Sequence, residues 1–127
     1  MFIGLDVGTS SVKAILLGDD QSLIASATSD LTVERPHPGW SEQEPDSWWR
    51  ACENVLDALK AEAPKALAAV RGIGLSGHMH GATLLDGRGR PLRPCILWND
   101  GRPGKQCEQP TRSEPRFQTP GGNPVLP

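Results

Sequence analysis

The sequence predicts an α/β domain in which an antiparallel strand meander leads through a helix into a parallel strand. Three observations predict it. Residues 2–8 alternate, with Ile3, Leu5 and Val7 on one face and Phe2, Gly4, Asp6 and Gly8 on the other. Two further strand-like runs follow closely, "VKAILL" at 12–17 and "LIASATSDL" at 23–31, with Asp19 and Asp20 marking the turn between them. Trp48, Cys52, Val55, Leu56 and Leu59 then recur at helical spacing before another apolar run, "RGIGLSG" at 71–77. Strand, helix, strand in that order calls for a crossover, and hence a parallel pair.

The segment "RPHPGWSEQEP" at 35–45 has three prolines and reads as an irregular connection. Pro45 suits the first position of a helix, where its missing N–H would have no partner anyway. Glu44 then falls at the N-cap, a poorer cap than Asp. The helix is predicted over about 45–60 and to end near Pro64. Trp48 and Trp49 lie within it and are read as core packing. Trp40 is open between packing and a lid. Residues 71–76 read as a short buried strand, "ATLLDGRGRPLRP" as a hairpin with a Gly-containing turn, and "CILWND" as a last strand delivering polar residues at its end. Six of the 12 prolines lie at or after Pro103, which assigns residues 103–127 to loop or disorder.

The totals exclude several classes. A chain of 127 residues is about one small domain, and 37% hydrophobic with 22% charged residues is a globular composition. A net charge of −2 gives no footprint for nucleic acid or an acidic membrane. Three cysteines, Cys52, Cys95 and Cys107, stand at no metal-like spacing and fit a reducing compartment. No basic leader precedes an apolar core, and no run approaches the roughly 18 apolar residues of a membrane span. The expected location is cytoplasmic.

The first turn carries the densest chemistry. Gly8 lets backbone approach a ligand, and successive N–H groups in a tight turn cradle anions. Thr9, Ser10 and Ser11 add hydroxyl donors, Lys13 can neutralise phosphate charge, and Asp6 is a strand-borne carboxylate suited to Mg²⁺. These are parts of a nucleotide-phosphate site. The same residues also make an ordinary hairpin with a solvated Asp, and the loop has no Walker A pattern. Further on, "GHMHG" places Met79 and His80 on a Gly-flanked turn at a strand end, beside His78. Neutral imidazole offers one donor and one acceptor, which is what a polyol needs. "WNDGR" adds Trp98, Asn99, Asp100 and Arg102; a core indole followed by a turn with a local ion pair is the plain alternative.

Four stretches carry a family resemblance. "DVGTSSVKA" (6–14) resembles the first phosphate loop of the actin-like ATPase superfamily. "RPHPGWSEQEPDSWW" (35–49), "GLSGHMHGATLLD" (74–86) and "ILWNDGR" (96–102) resemble the FGGY carbohydrate kinases, in order and with compatible spacing over residues 1–102. Within that family they are most similar to the kinases of D-xylulose. The resemblance implies the incomplete start of a ribonuclease H-like, actin-like ATPase N-terminal domain over residues 1–102, followed by a divergent tail at 103–127. It implies ATP and Mg²⁺ as cofactors. Asp6, Gly8, Thr9, Ser10, Ser11 and Lys13 would lie on the phosphates, with Asp6 on the metal. Met79, His80, Trp98 and Asp100 would lie near the sugar; His78 stands where relatives often carry Gln. The family's general-base aspartate and second phosphate loop lie beyond residue 127, so no catalytic residue falls in this chain. By itself it is expected to be inactive, and its uncovered sheet to self-associate. The rivals are a ribulose, gluconate or glycerol kinase, a non-catalytic remnant, and a ribonuclease H-like nuclease. "GHMHG" argues against glycerol kinases, which carry an Arg-Glu pair at this turn. A nuclease needs clustered carboxylates, and Asp6 has no clear strand-borne partner.

Overall fold

A computed structural model describes residues 1–104, 106 and 107. The chain runs through β1 (Phe2–Val7), β2 (Ser11–Leu17), β3 (Leu23–Asp30), β4 (Glu42–Gln43), α1 (Pro45–Glu62), α2 (Pro64–Ala68), β5 (Gly72–Gly77) and β6 (Cys95–Ile96). The main sheet has the order β3-β2-β1-β5; its first three strands are the antiparallel meander, and β5 joins β1 in parallel. β4 and β6 pair separately. No helix among the described residues is long and apolar enough to cross a membrane.

One face of the meander makes the core. Ile3, Val12, Ala14, Leu16 and Ala25 are buried against Ala51, Val55 and Leu59, which recur every fourth residue along α1. Each fully buried Leu or Val contributes roughly 1.5–3 kcal/mol by leaving water. Glu44 caps α1 with extended backbone and no side-chain bond, so Pro45 at the first turn and the Ser47 hydroxyl, which donates to the Glu44 carbonyl at 2.6 Å, define its start. Ala63 cannot continue the helix because it precedes a proline; its φ and ψ are −137° and 60°, and a short second helix restarts at Pro64. The sequence placed the break and missed the restart.

Three expectations are corrected. β5 is not buried: Ile73 is 58% exposed and Leu75 76%, because β5 is the sheet edge and α1 packs on β1, β2 and β3. The "CILWND" strand shortens to Cys95–Ile96, since Asp100 N–H bonds Leu97 O at 3.1 Å and turns the chain. The 35–45 connection is only partly irregular: Glu42 and Gln43 form β4, and Glu34 bridges Glu42. At the start of the 103–127 segment, Cys107 N–H bonds Pro103 O at 2.9 Å in a helical turn; residue 105 and residues 108–127 lie outside the described residues.

Gly77 sets how closely β5 approaches β1. A Cβ there would stand 2.8 Å from the Val7 carbonyl oxygen, whereas at Gly74 the nearest atom is 3.9 Å away. Gly77→Ala is expected to lower stability by about 1–3 kcal/mol through forced separation of the strands. Gly74→Ala is expected to be near neutral, and urea midpoints of the two variants provide the comparison.

Candidate functional site

β1 and β5 run parallel with Val7 beside Gly77, so the turns that follow them leave from one end of the sheet. Carboxyl ends of parallel strands are the common ligand end of such sheets. The first turn is closed by Gly8 N–H to Ser11 O at 3.1 Å. Its carbonyls are committed inward: Thr9 O accepts from Gln43 Nε2 at 2.9 Å and Ser10 O from Leu31 N–H at 2.9 Å. Because the peptide is trans, the Ser10 N–H is aimed opposite to the Thr9 carbonyl. A Cβ at Gly8 would lie 3.0 Å from Ser11 O, so glycine keeps this turn tight.

Asp6 is exposed on the face away from α1, and its register partners are Lys13 on β2 and Ser76 on β5. Three polar positions thus stand in a row across the open face, next to the turn. The Asp6 carboxylate makes no hydrogen bond or ion pair with a described residue. Among the described residues no group of three or more His, Cys, Asp or Glu side chains forms a metal cage. A lone carboxylate beside a tight glycine turn fits Mg²⁺, which is commonly held by one or two carboxylates together with substrate phosphates.

The second turn begins where His78 N–H extends the ladder to Val7 O at 2.9 Å. Met79 is 66% exposed, and His80 has φ +68°, a left-handed conformation that costs a non-glycine residue energy and is frequent at binding turns. Gly81 lies against β6, where a Cβ would meet Cys95 Sγ at 3.0 Å. Ala82 bridges Ile96 in antiparallel sense. The chain beyond Ile96 therefore runs back along the Met79–His80 side, and Trp98 emerges there 55% exposed.

Asp100 points the other way. It is 2% exposed, and Oδ2 accepts from Ser41 N–H at 2.6 Å and Arg102 Nη2 at 2.7 Å, while Oδ1 accepts from Arg102 N–H and Nε, both at 2.9 Å. The Arg102 guanidinium is the main cause that holds the Asp100 carboxyl at about 2, and Asp100 in turn raises Arg102 above its ordinary range. Arg102 also meets Glu42 at 2.7 Å and lies 3.8 Å from the centre of the Trp40 ring, and Arg93 bonds Glu42 as well. This network fastens the "WNDGR" turn to the 39–43 segment, which Gly101 N–H also reaches at Gly39 O, 2.8 Å away. Trp40 is thereby a packing residue. Trp49, read as core, is 69% exposed and bonds Glu53; Trp48 is half-buried and bonds Gln43.

The structure thus gathers Asp6, Gly8, Thr9, Ser10, Ser11 and Lys13 at one turn, and Met79, His80 and Trp98 beside the next, with Asp100 behind Trp98. Sequence reasoning missed Gln43, Glu42 and Arg93. They lie in stretches without period, and their partners are far off in the chain: Arg93 is 51 residues from Glu42, and Arg102 is farther still.

Residues 1–126 match the N-terminal domain of the FGGY family of carbohydrate kinases, and this chain belongs to that family. It is 46% identical over 127 residues to the xylulose kinase of Escherichia coli K12, covering 100% of this chain and 26% of that protein. It is 54% identical over 108 residues to the xylulose kinase of Klebsiella pneumoniae, covering 85% of this chain and 22% of that one. The crystal structure of a xyloylose kinase from Brucella ovis superposes with a TM-score of 0.91 at 51% identity, over 98% of this chain and 26% of that chain. The chain spans about a quarter of the length of these relatives.

Proposed function

We propose that this chain supplies the phosphate turn and one wall of the sugar site of an ATP-dependent xylulose kinase, which forms D-xylulose 5-phosphate from D-xylulose. One observation carries the reading. The Gly8–Ser11 and His78–Gly81 turns leave adjacent parallel strands at the same end, tied by His78 N–H to Val7 O. A phosphate donor on the first turn is then next to a hydroxyl acceptor on the second.

The residues divide by chemistry. MgATP, when bound, supplies the transferable phosphoryl group and a divalent charge on its oxygens. Asp6 holds the metal side, Gly8 and the Thr9, Ser10 and Ser11 donors receive phosphate oxygens, and Lys13 offsets their charge. Met79 and Trp98 give apolar faces to the sugar, and His80 exchanges hydrogen bonds with its hydroxyls. Asp100, with its four acceptor positions used, acts by holding the Trp98 turn rather than by touching the sugar.

The test uses a chimera in which this chain replaces the matching 26% of the Escherichia coli xylulose kinase. His80→Ala is expected to raise the KM for D-xylulose about tenfold, the scale of one lost hydrogen bond, and to leave the KM for MgATP unchanged. Lys13→Ala is expected to do the reverse. Equal effects of both variants on both substrates would refute a site divided in this way.

A further inference from the structure

We propose that Gln43 and Trp48 are positioning residues that hold the phosphate turn and the sugar turn in one frame. The proposal rests on the kinase reading for what the two turns bind, but its geometry stands on its own. Gln43 is 1% exposed, and its side-chain bonds cross between segments. Its Nε2 donates to Thr9 O at 2.9 Å and to Thr32 O at 3.1 Å, and its Oε1 accepts from Trp48 Nε1 at 2.7 Å. Both amide protons and the carbonyl are used, so the side chain has one orientation. Thr9 O belongs to the backbone of the phosphate turn, so any movement of Gln43 moves the Thr9–Ser10 peptide.

Trp48 carries the connection onward. Its ring packs edge-on against His78, with centroids 5.0 Å apart and planes at 65°. His78 opens the sugar turn. Its Nδ1 is buried with no hydrogen-bond partner among the described residues, so packing against Trp48 is what orients the ring. The path Thr9–Gln43–Trp48–His78 therefore joins the two turns through side chains, in addition to the ladder between β1 and β5. Reaction geometry is sensitive to errors of about 1 Å between donor and acceptor, and a fixed frame for both turns limits that error.

The experiment is two-dimensional NMR of the full chain without ligand, with folding checked by circular dichroism. Trp48→Phe keeps a ring on His78 and removes the indole donor; it is expected to shift the Thr9, Ser10 and Ser11 amides, which Trp48 reaches only through Gln43. Gln43→Leu is expected to abolish the downfield position of the Trp48 indole proton and to shift the His78 ring resonances. Gln43→Glu keeps the acceptor for Trp48 and loses both donors, so it is expected to shift Thr9–Ser11 and leave His78 in place. Trp49→Phe, at an exposed indole on the same helix, is expected to move neither turn. In Trp48→Phe and Gln43→Leu, shifts confined to each residue's own contacts would overturn the proposal, as would a Gln43→Glu variant that leaves the Thr9–Ser11 amides unmoved. If Gln43→Leu does not fold, Trp48→Phe and Gln43→Glu decide it. Failure of the chimera to phosphorylate D-xylulose would overturn the kinase reading, while the shifts alone would still decide whether the two residues position the turns.

Discussion

Asp6→Ala in the chimera is expected to lower kcat by about 10²–10³-fold, the range for removing one preorganised electrostatic group from a transition state. The KM for D-xylulose is expected to stay within about threefold, because the turn we propose for the sugar is built on β5 and β6 and does not include Asp6. Alternation puts Asp6 on the face opposite the core, register sets it beside Lys13 and Ser76, and the turn two residues on tightens through Gly8. Charge redistributes at the phosphates during transfer, so a group placed there acts mostly on the chemical step. Steady-state kinetics with each substrate varied separately measures the split. A variant with unchanged kcat and a raised D-xylulose KM would move Asp6 to the sugar.

The second large effect is on stability. Asp100→Ala is expected to cost about 3–5 kcal/mol, because it strands Arg102 beside Glu42 with its main partner gone and leaves the Ser41 N–H unpaired. That is much of the roughly 5–15 kcal/mol that a small domain has. The pH dependence follows from the direction of the shift. The Asp100 carboxyl drops from 3.8 to about 2 on folding, so the folded chain favours its ionised form by about 2 kcal/mol. That stability is fully present above about pH 4 and is lost as pH falls from about 4 to about 2. Urea denaturation across this window is expected to show the loss in the parent chain and a flatter profile in Asp100→Asn. An Asp100→Asn variant with the parent's acid slope would show that other carboxylates cause it.

How far the sequence was legible depends on how local the signal is. The meander, the helix start at Pro45 and the break before Pro64 are written in spacings of two, in spacings near 3.6 and in prolines, and the structure bears out each of them. The tight turn after β1 was legible because Gly8 and three hydroxyl residues are contiguous. The exposure of β5 was not, since "GIGLSG" is equally apolar at an edge and in the centre of a sheet. Trp48 and Trp49 share a helical run, but only geometry shows that one is half-buried on Gln43 and His78 while the other faces water. Asp100 looked like a sugar ligand beside Trp98; its inward orientation depends on Ser41, 59 residues earlier in the chain. Gln43 lies in the 35–49 stretch that carries the family resemblance, but its role was not legible there, because its three partners belong to three separate segments.

Coupled ADP release by the chimera tests the proposal that the two turns on β1 and β5 form one xylulose kinase site. With MgATP supplied, D-xylulose is expected to drive turnover at about 1–100 s⁻¹, the ordinary range for kinases, with higher kcat/KM than ribulose, gluconate or glycerol. A folded chimera that releases ADP at the same rate with and without D-xylulose, or that prefers one of the other three, would contradict it.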